Sequence, residues 1–446
     1  MHHPANVVWP APPKAIDTAR LFLLDAAKSV HPVLLIPDRG ADGLCAGTII
    51  NHTLRLLGKS PSQIHVHFTH KGRSIFDPAE NEEIERVCKE KGIESLIILD
   101  QGSIEHAQPH TSVNEVSTVR KVLSIDHHHS PAYPTHATTL NSRYHPPIAP
   151  TSLLTYSLCS PLHGRAKEVN ALPALIGTIG YLPSLRETLK VPPWPTYLGN
   201  EALEKYKITW INKLIVLINV ARRTPLLEGE EATYGAWKLL QFDPAAPEEE
   251  WPTPKGIMTG TWGGDTVMEM VNGLRQMQDR SKEEFDKNKR RPPRYSDDGR
   301  IAVIELSSKW QIQSMIAARW SSYLGGSKRR PGDPPALAVA CANTDYVPGG
   351  VTFSVRRTGI GIQQNVNLTS LLKEYRSQLS QEWQAKLGDD FSLGHNQGAG
   401  GTVPTDVWEA FKKDALKLRG QGQVGSSGQT KPSGQRTLDM YPMGRS

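Results

Sequence analysis

Four cysteines in 446 residues, Cys45, Cys88, Cys159 and Cys341, are too few and too widely spaced for a disulfide framework or a paired zinc-ligand spacing. They read as core or reduced thiols of an intracellular protein. No charged amino-terminal stretch precedes an apolar core, and no apolar run approaches the roughly 20 residues of a membrane-spanning helix. Neither secretion nor membrane insertion is expected. Aromatic residues are scarce, at 7%, and Trp194, Trp210, Trp237, Trp251 and Trp262 follow no stacking periodicity, so they read as core residues before they read as a platform for bases. A large excess of charge is also missing. A net +6 with a pI near 9.0 permits an acidic partner such as nucleic acid without requiring one. What remains is ordinary globular material, 38% hydrophobic and 22% charged, long enough for two or three cores, with 37 Gly and 34 Pro that imply many loops.

The chemistry-bearing residues sit at the ends of short apolar runs. Residues 122–124 lead into Ile125-Asp126-His127-His128-His129 and the breaker Ser130-Pro131. Val33-Leu34-Leu35-Ile36 stops at Pro37-Asp38-Arg39-Gly40-Ala41-Asp42-Gly43, and Leu96-Ile97-Ile98-Leu99 stops at Asp100-Gln101-Gly102. Open α/β folds gather their sites at the carboxyl edge of the sheet, so these three ends are expected to converge on one crevice. A buried group of acids needs a cation, and Mn or Mg suits mixed carboxylate and imidazole ligands. A His-rich surface turn is the alternative reading of residues 127–129.

Helical apolar spacing over residues 14–30, 43–57 and 81–91, with a strand over 64–69, predicts a parallel, doubly wound sheet with right-handed crossovers. Residues 151–160 and 172–179 fit helices that close this domain. His65, His67 and His70 recur at period two; they imitate a ligand set but read first as the outward face of a strand. Arg120, Arg143 and Arg165 are scattered cations that a phosphate could meet.

The ordered motifs resemble the DHH phosphoesterase superfamily, in particular its RecJ-like nucleases. Asp126-His127-His128 matches the motif that names the superfamily, Asp100 the lone acid of the second motif, residues 38–43 the D-x-D-x-D-G motif, and Gly177-Thr178-Ile179-Gly180 the start of a G-T-x-x-D motif. Two positions depart from the pattern: Gly40 stands where the family has an aspartate ligand, and Tyr181 stands where it has another. The resemblance implies a metal-dependent phosphoesterase acting on single-stranded nucleic acid or short oligonucleotides. It implies Mn or Mg, one ion rather than two, held by Asp38, Asp42, Asp100 and His127, with Asp126, His127 and His128 as the catalytic group. Losing two ligands also admits a catalytically inactive scaffold that binds nucleic acid and replication or repair proteins, and a small-molecule phosphatase or pyrophosphatase is a third reading.

The rest of the chain follows this division. Residues 1–13 are Pro-rich and expected to be flexible, 14–185 form the DHH domain, 186–286 a helical extension, and 287–299 a basic exposed linker that contacts phosphates or serves nuclear import, which slightly favours a nuclear over a cytoplasmic location. Residues 300–419, with strands over 301–306, 336–342 and 351–355 and a helix over 312–323, resemble the smaller α/β DHH-associated domain. There Arg356 and Arg357 match a substrate-facing strand, and Gly394, His395, Gly400 and Gly401 match a G-G-H-x-x-A-x-G loop able to approach an anion, with Leu393 at the first glycine. The tail, residues 420–446, has a composition expected of disorder. Within it Gln435, Leu438 and Tyr441 resemble a sliding-clamp binding box, with Pro442 in place of the second aromatic.

Overall fold

Short strands that are apolar on both faces can be kept from water only by helices stacked on each side of their sheet. The computed structural model has this arrangement; it describes residues 8–103, 119, 121–129, 133, 134, 137–181, 189–325, 334–388, 391, 393–395 and 398–418. β1 (Val33–Pro37), β2 (Ile64–Val66), β3 (Ser95–Leu99), β4 (Lys121–Asp126) and β5 (Thr138–Asn141) form one parallel sheet in the order β2-β1-β3-β4-β5. Alternate side chains leave opposite faces. Val33, Leu35, Ile97, Leu99, Leu123 and Ile125 enter one core, whereas Leu34, Ile36, Leu96, Ile98 and Val122 enter a second.

Helices α1 (Pro13–Lys28) and α2 (Ala41–Leu56) cover the first face, and α3 (Pro78–Lys91) covers the second through Ile84 and Cys88. Proline starts α1 and α3, where a missing N–H costs nothing, and Gly92 stops α3 in the left-handed region at φ 63°. Next come α4 (Thr151–Cys159), the single turn α5 (Ala166–Val169) and α6 (Ala171–Tyr181), whose buried residues complete the first core. The later helices Ile208–Ile218 and Gly229–Lys238 send Ile211, Leu214, Ile218 and Trp237 into that same core. The region expected to be a separate extension is thus largely one body with the sheet: residues 1–222 and 227–278 form a single compact unit.

The second unit comprises residues 223–226 and 279–446. Its strands β6 (Arg294–Tyr295), β7 (Ile301–Leu306), β8 (Ala338–Val347), β9 (Gly350–Arg357), β10 (Leu393–His395) and β11 (Gly398–Pro404) run in the order β10-β11-β9-β8-β7-β6. Of these, only β7 and β8 pair parallel. The helix Gln313–Leu324 lies between those two strands in the chain, and Phe353 stacks on Trp408 at 5.5 Å in the core.

Two expectations are corrected here, and one element is new. Residues 287–299 are not a bare basic linker. Asn288 ends the helix Gly264–Asn288, Arg294–Tyr295 is strand β6, and Lys287, Lys289 and Arg294 pair with Glu284, Asp286 and Glu305. Acids three residues upstream on a helix were available to answer the two lysines. The Gly-rich segment, read as a loop, forms the antiparallel strands β10 and β11. Strand β5, Thr138-Thr139-Leu140-Asn141, was not anticipated because it is too polar to read as buried. The residues of the tail motif, Gln435, Leu438 and Tyr441, lie outside the described residues. Among the described residues no helix is long and apolar enough to cross a membrane.

His52 in α2 is fully buried, 4.4 Å from the Phe242 ring, and burial together with Arg55 lowers its pKa from 6.5 to about 3. The unfolded chain therefore binds a proton below pH 6.5 that the folded chain refuses. Stability is expected to fall relative to a His52→Leu variant by about 1.4 kcal/mol per pH unit as pH drops from 6 to 4. Urea titrations of both proteins across that range measure it; parallel curves would contradict it.

Candidate metal centre

The register of the sheet sets the depth of the site. Pro37 lies beside Leu99, and Leu99 lies beside Ile125. The ladder then continues one residue further, with Asp38 N–H donating to Leu99 O at 2.9 Å and Asp100 N–H to Ile125 O at 3.0 Å. Asp38, Asp100 and Asp126 consequently occupy one rung on adjacent strands. The rung lies where the strand order reverses between β1 and β3, the usual place for a crevice in such sheets.

Local backbone features hold these acids in place. Asp100 adopts φ 65°, uncommon for a residue with a side chain. The β1–α2 turn is tight: a Cβ on Gly43 would stand 2.6 Å from the Asp38 carbonyl oxygen. Asp42 falls in the first turn of α2 and is 5% exposed. It turns away from the sheet edge and gives both oxygens to the amino terminus of α4, accepting from Thr151 N–H at 2.9 Å and Ser152 N–H at 2.8 Å. A carboxylate at a helix amino terminus meets unpaired N–H groups and the positive end of the dipole.

Thr151 connects the remaining groups. Its hydroxyl donates to Asp100 Oδ1 at 2.8 Å, so the same oxygen accepts from His127 Nδ1 at 2.9 Å. His127 Nδ1 also lies 3.1 Å from Asp100 Oδ1 and 3.6 Å from Asp42 Oδ2. These contacts place the His127 proton on Nδ1 and leave Nε2 a bare lone pair, buried and without a partner among the described residues. Asp126 is fully buried and accepts from His127 N–H at 2.7 Å, His128 N–H at 3.1 Å, His128 Nδ1 at 2.7 Å and Ser103 N–H at 2.9 Å. The His128 ring is 43% exposed, but its Nδ1 edge faces the acids.

The electrostatics follow from this packing. Burial, then the neighbouring Asp100, raises Asp42 to about 7. Burial also raises Asp100 to about 7, with Asp38 and Asp126 adding to it against His128 and the Thr151 hydroxyl. Burial opposes the charges of both Asp126 and His128, yet their contact prevails. It holds Asp126 well below the carboxylate range and lifts His128 to about 10. Burial and the His128 charge depress His127 to about 4. At neutral pH the site thus holds an Asp126–His128 ion pair, a neutral His127 and an uncompensated surplus of acid around Asp100.

The two departures from the DHH pattern have visible consequences. A Cβ at position 40 would stand 2.9 Å from Asp38 Oδ2 and 3.0 Å from Arg222 Nη1, so an arginine reaches the space that the resemblance assigns to an acid. Tyr181 lies edge-on to His127 with ring centroids 4.3 Å apart, and burial beside Asp100 and Asp42 raises its phenol to about 12. It is neutral and covers the imidazole. Of the scattered arginines, Arg143 acts on His127, Arg165 is engaged by the Ala245 and Ala246 carbonyls, and Arg120 lies outside the described residues.

The donor set fits a cation. Asp100 and His127 lie in a group with Asp126 and His128 whose ligand-type atoms fall within 4.8 Å of one another; with Asp126 and His128 paired, Asp100 and the Nε2 of His127, oriented through Nδ1 as metal-bound imidazoles are, remain to meet an ion. Thr151 and Arg222 were missed in the sequence. The Pro150-Thr151-Ser152 helix start was a signal for the first; nothing local pointed to Arg222, 182 residues after Gly40 in the chain. In the second unit Gly398 faces Arg356 across the β11–β9 pair, and a Cβ there would lie 2.3 Å from Arg356 Nη1. The glycine leaves room for the guanidinium. Gly400 and Gly401 would meet the backbone oxygens of Phe353 and Phe391 instead, and Arg357 donates to Val366 O at 3.4 Å. Gly394 and His395 belong to β10.

No family model and no curated protein sequence matches the chain. Solved structures do. RecJ from Thermus thermophilus in complex with Mn2+ aligns over 93% of this chain with TM-score 0.60 and 16% identity. The match covers 55% of that protein, so this chain spans little more than half its length. An exonuclease RecJ bound to manganese aligns over 93% of this chain and 96% of its own with TM-score 0.55 and 16% identity. The DHH domain of a protein assigned to a family of ribosomal proteins aligns over 91% of each chain with TM-score 0.56 and 15% identity. The chain has the RecJ-like DHH fold.

The assigned His127 tautomer is testable by long-range ¹⁵N spectra of histidine-labelled, metal-free protein. Nε2 is expected to give the signal of an unprotonated nitrogen at pH 7, and Thr151→Val is expected to weaken that preference. A protonated Nε2 in the parent would contradict the assignment.

Proposed function

We propose that this protein is a DHH-type phosphoesterase with a one-ion centre, hydrolysing phosphodiester bonds of single-stranded nucleic acid or short oligonucleotides. The observation that carries the reading is the bare, buried Nε2 of His127 beside carboxyl groups that burial and mutual repulsion have pushed up. Asp38, Asp100 and His127 would hold Mn or Mg. Asp42, placed in the ligand set on resemblance, also positions α4 through one hydrogen bond to each of its oxygens. When bound, such an ion supplies a water of lowered pKa and polarises a phosphoryl oxygen.

The remaining residues have separate tasks. His128 is a cation at neutral pH and donates its outer N–H to a non-bridging oxygen, while Asp126 keeps it charged and fixed. Arg222 adds positive charge beside Asp38, where a second ion would otherwise be needed. Arg356, with Arg357, His395 and the glycines Gly394, Gly400 and Gly401, contributes phosphate contacts. Support for that last assignment is the space that Gly398 leaves beside the Arg356 guanidinium. Gln435, Leu438 and Tyr441 would tether the chain to a sliding clamp.

A second reading, a binding protein of the same fold without turnover, is favoured by a specific observation. Arg222 and neutral Tyr181 occupy the positions where the resemblance calls for acids. Mn-dependent shortening of a labelled single-stranded oligonucleotide separates the two. The phosphoesterase reading expects turnover that drops at least about 100-fold in His127→Ala. It is abandoned if the parent is silent and activity emerges only in the double variant Gly40→Asp, Tyr181→Asp. Arg356→Ala is expected to raise KM about tenfold, about 1.4 kcal/mol of binding, with little change in kcat; an unchanged KM would remove Arg356 from the substrate contacts.

A further inference from the structure

A second cluster of ligand-type side chains lies on the other side of β1, outside the centre described above. His67 follows β2 directly, its N–H bonded to Leu35 O at 2.9 Å. Glu80 lies in the first turn of α3 and is completely buried. Its Oε1 meets His67 Nε2 at 2.7 Å and the His70 N–H at 3.2 Å, and its Oε2 meets His70 Nδ1 at 2.9 Å. One ligand atom from each of His67, His70 and Glu80 lies within 4.8 Å of the others. We infer that His67, His70 and Glu80 form a binding site for a zinc-type divalent ion, separate from the DHH centre.

Three features favour a metal over a purely hydrogen-bonded knot. Two imidazoles and one carboxylate are a donor set suited to zinc, which takes four ligands and leaves one position for water. His70 is 37% exposed, so that position is open to solvent. The other ring nitrogen of His70, Nε2, lies 3.2 Å from Glu230 Oε1. An imidazole that gives Nδ1 to a metal must carry its proton on Nε2, and metal-bound histidines ordinarily donate that proton to a carboxylate. Glu230 already stands there, contributed by the distant helix Gly229–Lys238. A tetrahedral zinc shell spaces its ligand atoms about 3.3 Å apart, so each imidazole–carboxylate pair, now at 2.7 and 2.9 Å, would lengthen by about half an ångström. Arg73 Nη1, 3.9 Å from Glu80 Oε2 and 46% exposed, can swing into solvent as the ion enters.

Such an ion would join the segment after β2 to α3. That segment also carries Thr69, whose carbonyl accepts from the buried Arg39 beside Asp38. The site would therefore stiffen the wall next to the DHH centre while performing no chemistry.

Cobalt(II) titration of metal-stripped full-length protein tests the assignment, because a tetrahedral nitrogen and oxygen shell gives intense visible bands that an octahedral site does not. His127→Ala is expected to keep these bands and His67→Ala to lose them, with both variants retaining the far-UV circular dichroism of the parent. Zinc is expected to raise the melting temperature of His127→Ala by several degrees and that of the double variant His67→Ala, His127→Ala not at all. Zinc-edge X-ray absorption on the His127→Ala protein needs no change in the cluster itself; it is expected to show two imidazoles in a four-coordinate shell. Absent cobalt bands in the parent, bands lost in His127→Ala but kept in His67→Ala, or a shell without imidazoles would each overturn the inference.

Discussion

A carboxylate taken out of water must be answered by N–H groups, by a cation or by a proton, and much of the first unit is organised around that requirement at the carboxyl edge of its sheet. Asp126 is answered most completely, by three N–H groups and the His128 ring. Asp42 is answered by the amino terminus of α4. Asp100 has the Thr151 hydroxyl and a neutral His127, which do not suffice, and its pKa rises accordingly. This incompletely answered acid lies next to an imidazole whose buried Nε2 has no partner among the described residues.

The same requirement explains how α4 is docked. A helix laid across the end of a sheet would leave its first N–H groups unpaired. Asp42, carried on α2, supplies both acceptors, and Thr151 in the first turn of α4 reaches back to Asp100 and His127. Docking the helix through its backbone thus brings the Thr151 hydroxyl to the imidazole. Replacing Thr151 by a residue of similar shape without a hydroxyl would leave α4 in place and release His127.

Positive charge around this centre is committed with similar care. Arg39 stands between the acids of the β1–α2 turn, yet it is buried and engaged by the Thr69 and Gly229 carbonyls and the Thr233 hydroxyl. It ties the segment after β2 and the helix Gly229–Lys238 to the turn. Lys71, close to Arg39 and Arg222, is lowered to about 6 by burial and then by those two cations. Arg222 reaches the Gly40 side of Asp38. A fixed guanidinium there gives the centre a permanent charge, and it would compete with any ion for the same carboxylate.

Much of the fold could be read from residue order. Periodicity located α1 through α4 and the apolar strands to within a few residues, because strands buried on both faces and helices with one apolar stripe leave distinct patterns. The ordered acids and imidazoles at 38–42, 100 and 126–128 pointed to one crevice, because the carboxyl ends of parallel strands must meet at one edge. Strand β5 and the basic stretch 287–299 were misread for a shared reason. Their partners, β4 for one and Glu305 together with the helix acids for the other, determine their state, and local composition does not contain them. The assignment of roles within the centre depended on tertiary structure alone. Asp42 serves α4, Thr151 sets the His127 tautomer, Arg222 reaches Gly40, and Glu80 gathers two histidines that looked like an outward strand face. Sequence places residues along one dimension, whereas desolvation and hydrogen-bond geometry are properties of contacts between segments as far apart as the 190 residues that separate Arg39 from Gly229.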